Sequence, residues 1–229
     1  MKSINEVALK KLPLFSTVST DTMERFIKEV KINHLSKGDY IIRDKEITDF
    51  VYIVFSGKIS VYKLSETGDK RIFFILNEGS ILNDDLVNGF PSTIDCECFE
   101  DSIILIYDKK KFLKLMQCDF EFMKSVLSEY SSKLRRTYRQ LKNAPTNVTM
   151  EKKLAAKLYS LCRHYGIKTE SGTLIDLPLS VVYLSQLVGA QRETVSRALK
   201  KLIEANLVEY DHKKFTIPDI KALGDYHKK

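Results

Sequence analysis

Arg192, Glu193, Ser196, Arg197 and Lys200 recur at spacings of three, four and seven, so on a helix they share one face. An arginine there offers two parallel N–H donors that match guanine O6 and N7. A glutamate accepts from cytosine N4, and a good bidentate contact contributes about 1–3 kcal/mol of base discrimination. Thr194, Lys200 and Lys201 suit phosphate oxygens, which fix register without reading sequence. The competing role is a surface ion pair between Glu193 and Arg197, worth a few tenths of a kcal/mol.

The flanking residues are those that would hold such a helix in place. Ser180 is a good N-cap for a helix ending at Val188, Gly189 supplies a left-handed turn, and a second helix is expected from Gln191 to Ala205. Its inward residues are Val195, Ala198, Leu199 and Leu202, giving helix, turn, helix. Gln191 is a poor N-cap where serine or threonine is usual. Beyond it, Leu207–Tyr210 and Phe215–Pro218 read as a hairpin around Asp211-His212-Lys213-Lys214, a wing with lysines near phosphate. Upstream lie an amphipathic helix, Glu151–Tyr165, with Leu154, Leu158, Leu161 and Cys162 inward, and a short strand over Thr173–Leu177.

From Asp119 to Asn143 the pattern predicts one long helix with a coiled-coil-like seam through Phe120, Met123, Leu127, Tyr130, Leu134 and Leu141. Lys124, Glu129, Lys133, Arg135, Arg136 and Arg139 read as its charged faces. Such a stripe is too long to bury on one small domain, so Met123, Leu127, Tyr130, Leu134 and Leu141 are expected to form a homodimer contact. Pro145 breaks the helix and makes Asn143–Asn147 the expected hinge.

Between Lys31 and Tyr107 short β-runs alternate with glycines: Tyr40–Arg43, Phe50–Phe55, Lys58–Lys63, Arg71–Leu76, Thr93–Phe99 and Ser102–Tyr107. Gly38, Gly57, Gly68, Gly79 and Gly89 fall near the gaps, where positive φ or a tight turn is needed, and a small antiparallel barrel follows. A short helix over Asp21–Val30 precedes it.

With 229 residues, 44% of them hydrophobic and 29% charged, the chain is an ordinary globular protein long enough for two cores. A net charge of +7 favours an anionic partner. No apolar run is long enough to cross a bilayer, and the N-terminus lacks a signal-peptide core, so a cytoplasmic location and no membrane partner are expected. Cys96, Cys98, Cys118 and Cys162 form no metal-ligand array. Cys96 and Cys98 share a strand face and read as half-buried thiols, with a redox switch as the alternative. A metalloenzyme of the cupin type would need several histidines, whereas residues 1–110 contain only His34. No enzyme activity, metal or cofactor is expected.

The run Leu187-Val188-Gly189-Ala190-Gln191-Arg192-Glu193-Thr194-Val195-Ser196-Arg197 closely resembles the recognition motif of the Crp/Fnr transcription regulators. Lys37-Gly38-Asp39, Ser56-Gly57-Lys58 and Glu78-Gly79-Ser80 resemble turns of that family's cyclic-nucleotide-binding-like domain, so the resemblance spans nearly the whole chain. It implies that Arg192, Glu193 and Arg197 read bases. It departs at the ligand pocket, where cyclic-nucleotide binders carry Gly-Glu and then Arg-Ser or Arg-Thr. Here Asn83, Asp84, Asp85, Ser92 and Thr93 stand in the corresponding stretches, and no arginine or lysine occurs between Arg71 and Lys109. A cyclic phosphate would meet Asp84 and Asp85 without a charge-assisted partner. Iron–sulfur members use an N-terminal cysteine cluster, absent before Cys96.

The expected architecture is α+β: an N-terminal antiparallel β-barrel, a cyclic-nucleotide-binding-like jelly roll, over residues 12–118. A dimerisation helix follows over 119–143 and a C-terminal winged helix-turn-helix over 147–229. Its expected partners are double-stranded DNA bearing an inverted repeat, a second copy of the chain, and RNA polymerase if it activates. Control is expected through an effector other than cyclic AMP in the barrel, or alternatively through none or through thiol oxidation.

Overall fold

The computed structural model describes residues 5–142 and 148–228; the hinge expected at Asn143–Asn147 lies outside them. The chain divides into two compact units, Met1–Leu64 with Phe73–Tyr138, and Ser65–Ile72 with Arg139–Lys229.

In the N-terminal part of the chain, α1 (Glu6–Lys10) and α2 (Thr20–Glu29) precede the strands β1 (Lys31–Leu35), β2 (Tyr40–Ile42), β3 (Phe50–Ser56), β4 (Ile59–Leu64), β5 (Lys70–Leu76), β6 (Asp95–Cys98) and β7 (Ser102–Asp108). These form two antiparallel sheets, β1-β7-β3 and β2-β6-β4-β5. α3 (Lys109–Cys118) and α4 (Phe120–Lys142) follow. β3 and β7 are covered on both faces, which is why they are apolar runs rather than alternating ones. Val51, Ile53, Leu105 and Tyr107 meet Phe15, Met23, Phe26, Phe112 and Phe122 from the helices. Val54 and Ile104 turn the other way, to Ile42, Ile59, Val61, Cys96 and Cys98 in the barrel interior.

The glycines expected to need positive φ do so: Gly38, Gly57, Gly68, Gly79 and Gly89 all have φ between 70 and 93°. Gly57 shows why. A Cβ there would stand 2.3 Å from Ser102 Oγ and 2.8 Å from the Asp101 carbonyl, so any side chain would push the β3–β4 turn off the neighbouring strand.

A single carboxylate ties α4 to α2. Asp119 precedes α4 and accepts from the Phe122 amide at 3.0 Å. It also accepts from the Ser19 amide and hydroxyl at 3.0 and 2.7 Å, and that hydroxyl in turn caps α2 by accepting from Thr22 N. Burial pushes the Asp119 carboxyl up, but these hydrogen bonds outweigh it and hold the pKa at about 2, against an ordinary 3.8. A carboxylate so depressed stabilises the fold fully above pH ~4 and loses that contribution as pH falls toward 2. Asp119→Asn is expected to remove about 2 kcal/mol at neutral pH and to flatten the acid limb of the stability curve, as urea unfolding at pH 7, 4 and 3 would check.

In the second unit, α5 (Met150–Tyr165) runs into β8 (Gly166–Thr169) and β9 (Gly172–Ile175). Then come α6 (Val181–Val188), α7 (Arg192–Glu204), β10 (Glu209–Asp211), β11 (Lys214–Ile217) and α8 (Ile220–Lys228). The sheet order is β10-β11-β9-β8, antiparallel throughout. β8 and α8 are absent from the sequence expectation. β8 is exposed at every position and carries no alternation to betray it.

Candidate nucleic-acid interface

α6 starts as expected, with the Ser180 hydroxyl accepting from Tyr183 N at 3.1 Å. It stops at Gly189, in the left-handed region with φ 72° and ψ 47°. The Gly189 and Ala190 amides both donate to the Ser185 carbonyl, which turns the chain sharply into α7. There Val195, Ala198, Leu199 and Leu202 are all buried, and the rest of that helix is left to water.

Arg192, Glu193, Ser196, Arg197 and Lys200 are exposed together along that outer side, and Thr194 is half-buried. Among the described residues no ion pair joins Glu193 to Arg197; Lys200 instead lies 3.8 Å from Glu204. Lys201 has a partner within the protein. Its ammonium is held by Glu151 of α5 at 2.5 Å, a contact that raises the lysine and lowers the carboxyl pKa, so Lys201 braces α7 on α5. Gln191 makes no side-chain cap at the start of α7, beside Arg192 and Glu193.

The wing is β10 and β11, joined by a two-residue turn in which His212 and Lys213 have φ of 44 and 66°. Both are left-handed, as in the type I′ hairpin turn, yet neither is Gly or Asn. The Lys213 carbonyl accepts from Leu179 N at 2.8 Å, and the Tyr210 ring lies 4.4 Å from that of Phe215. Lys213→Gly is expected to stabilise this unit by about 0.5–1 kcal/mol by relieving the left-handed strain, which chemical unfolding would register as a higher midpoint.

In the barrel the five residues expected at an effector pocket are engaged with protein. Asn83 accepts from Tyr52 N and donates to the Phe50 carbonyl at 2.9 and 3.0 Å. Asp84 accepts from the Ser92 hydroxyl, the Thr93 amide and the Thr93 hydroxyl at 3.0, 2.8 and 2.7 Å. Asp85 closes the next loop, accepting from Val87, Asn88, Gly89 and Phe90 amides; burial pushes its pKa up, but those four amides bring it down on balance. Cys96 and Cys98 are fully rather than half buried. Burial pushes their thiols up to about 12 and about 11, which disfavours the nucleophilic thiolate.

α4 shows two faces. Phe120, Leu127, Leu134 and Leu141, seven residues apart, are 68, 60, 52 and 68% exposed; Met123 is half-buried beside them. Tyr130 instead packs on the core between the sheet and the helices, its hydroxyl donating to the Asn83 carbonyl at 3.0 Å. Glu129, Lys133 and Arg136, read from the sequence as charged outer faces, also turn to the barrel. Lys133 and Glu129 side chains are only 20 and 23% exposed. The available signal was Glu129 four residues ahead of Lys133 on the stripe of Phe122 and Val126; a search for apolar spacing alone passes over it. Among the described residues no group of histidine, cysteine and carboxylate side chains is placed to hold a metal, and no helix is long and apolar enough to cross a membrane.

Residues 32–119 match the cyclic nucleotide-binding domain, and residues 152–226 match the Crp-like helix-turn-helix domain. The chain belongs to the Crp/Fnr family. Like other Crp/Fnr members it is a transcription regulator with a DNA-binding helix-turn-helix. It is 25% identical over 207 residues to the global nitrogen regulator of Synechococcus elongatus, covering 85% of this chain and 89% of that one. It is 20% identical over 217 residues to the CRP-like cAMP-activated global transcriptional regulator of Mycobacterium tuberculosis, covering 94 and 96%. The fold is that of the c-di-GMP responsive global regulator CLP of Xanthomonas campestris, with a TM-score of 0.76, 18% identity, and 88 and 100% of the two chains covered.

Proposed function

We propose that this Crp/Fnr regulator binds an inverted-repeat operator as a homodimer, reading bases through Arg192, Glu193, Ser196 and Arg197 and phosphates through Thr194 and Lys200. The observation that carries this reading is the exposed face of α7, where the two arginines and the glutamate are not spent on each other. Arginine to guanine and glutamate to cytosine are the contacts such a face can make. Phe120, Leu127, Leu134 and Leu141 of α4 support the dimer, because four exposed apolar residues in one line are what a facing helix would cover. A two-fold dimer presents two recognition helices to half-sites centred roughly 10 bp apart.

Cyclic AMP is not its effector in this reading, since Asp84 already takes the donors of Ser92 and Thr93. A different barrel effector, the expectation from sequence, would have to displace protein groups. The filled site favours the alternative in which no small effector is required, and the buried thiols disfavour control by oxidation. Selection of bound duplexes from a random pool tests the core of the reading: an enriched inverted repeat is expected. A bound fraction without sequence preference, with and without cell extract, would reduce the basic face to a phosphate binder.

A further inference from the structure

The inward face of α4 reaches the backbone that follows β5 with three consecutive polar contacts. Lys133 donates to the Ile81 carbonyl. Glu129 stands 3.8 Å from the Lys133 ammonium and faces the Ile81 amide and the Ser80 hydroxyl. Tyr130 donates to the Asn83 carbonyl, and its ring lies 5.1 Å from the Lys133 ammonium. A turn further on, Arg136 reaches the Ile75 carbonyl at 3.4 Å and covers the Phe74 ring at 5.0 Å. Around these groups Ser80, Ile81, Leu82, Asn83 and Cys96 are buried.

We infer that Glu129, Tyr130 and Lys133 serve as a built-in ligand, filling the barrel site that an effector would occupy and fixing α4 there, so that operator binding needs no small molecule. The inference rests on the operator-binding reading above and specifies its control. Burial disfavours the charged forms of Lys133 and Glu129 and outweighs the partial offset each gives the other. A molecule entering this site would have to separate the two groups and free two backbone carbonyls, and it can shift a conformational balance only by binding one state better than the other. The bolt also has a rotational consequence. Lys133 and Leu134 are adjacent on α4, so locking the lysine on Ile81 aims the leucine, and with it the exposed heptad line, in one direction.

The test uses the full chain, dialysed free of small molecules, titrated by fluorescence anisotropy against its selected duplex. The additions are none, cyclic AMP, or the deproteinised small-molecule fraction of the expressing cells. Wild type is expected to bind with an affinity that changes less than about twofold with either addition. Lys133→Met is expected to weaken operator binding about tenfold, within the usual range of coupling between sites, and to leave binding to unrelated duplex unchanged. Lys133→Arg, which keeps the charge and donors, is expected to retain most of the affinity. An increase of about tenfold or more in wild-type affinity with either addition overturns the inference while leaving the operator reading intact, as does Lys133→Met binding like wild type. Should Lys133→Met fail to fold by circular dichroism, Glu129→Gln takes its place, and the wild-type comparison decides by itself. Wild type that prefers no duplex under any condition overturns the operator reading, and the bolt with it.

Discussion

Arg197→Ala is expected to weaken operator binding by about 1–3 kcal/mol and to relax the preference at one base pair in each half-site. The side chain lies on the outer face of a helix whose inner face is fully packed, so truncation removes the contact without disturbing the fold. Arg192→Ala is expected to do the same at a different position, five residues earlier at the first position of α7. Lys200→Ala should weaken binding evenly across sequences and lower the salt slope by about one ion. Lys201→Ala is the discriminating control. Because Glu151 holds that lysine, its loss should lower the stability of the unit and leave base preference alone. Selection from a random pool at two salt concentrations separates all four outcomes.

Leu127→Asp combined with Leu134→Asp is expected to yield a folded monomer that no longer holds the operator. Both leucines are more than half exposed, so the chain folds without their burial. In a two-fold contact each new carboxylate would face its own copy or a leucine, and like charges brought together across an interface cost several kcal/mol. Operator affinity should fall by about a hundredfold or more, corresponding to about 3 kcal/mol, while sedimentation shows the mass of one chain. A variant that stays dimeric would mean that the exposed line is not the seam. Tyr130→Ala offers a useful contrast, since that residue packs inward and its loss should act on stability.

The features of this protein that are legible in its sequence are those whose physics is local. Gly189, Ser180 and the burial of Val195, Ala198, Leu199 and Leu202 follow from capping, left-handed turns and helical spacing, and the structure has each as expected. The barrel strands are legible from glycines at positive φ and from apolar runs. What escapes depends on partners distant in sequence. Glu129 and Lys133 look like an ordinary solvent pair on a helix, and only the return of α4 across Ser80–Asn83 turns them into a buried one. For the same reason Asp84 has no basic residue near it along the chain, although Lys133, 49 positions later, contributes to its surroundings. The pairing of Lys201 with Glu151, 50 positions earlier, likewise leaves no trace in local spacing. Asp119, which joins two helix starts, carries no motif of its own.

The wing turn has a consequence for how this protein can change. Its placement beside α6 depends on a main-chain bond, Leu179 N to the Lys213 carbonyl, and on the Tyr210–Phe215 stack at its base, while the side chains of His212 and Lys213 point into solvent. Any residue able to sit in the left-handed region can therefore replace either one without moving the hairpin. Mutation at the tip can explore charge and hydrogen bonding toward whatever flanks the operator, one substitution at a time. On the proposed reading the α7 face has no such freedom, because each change there would alter a base contact. If both the hairpin tip and the α7 face meet DNA as proposed, they are free to drift at different rates, with tolerance concentrated at the tip and constraint along the helix.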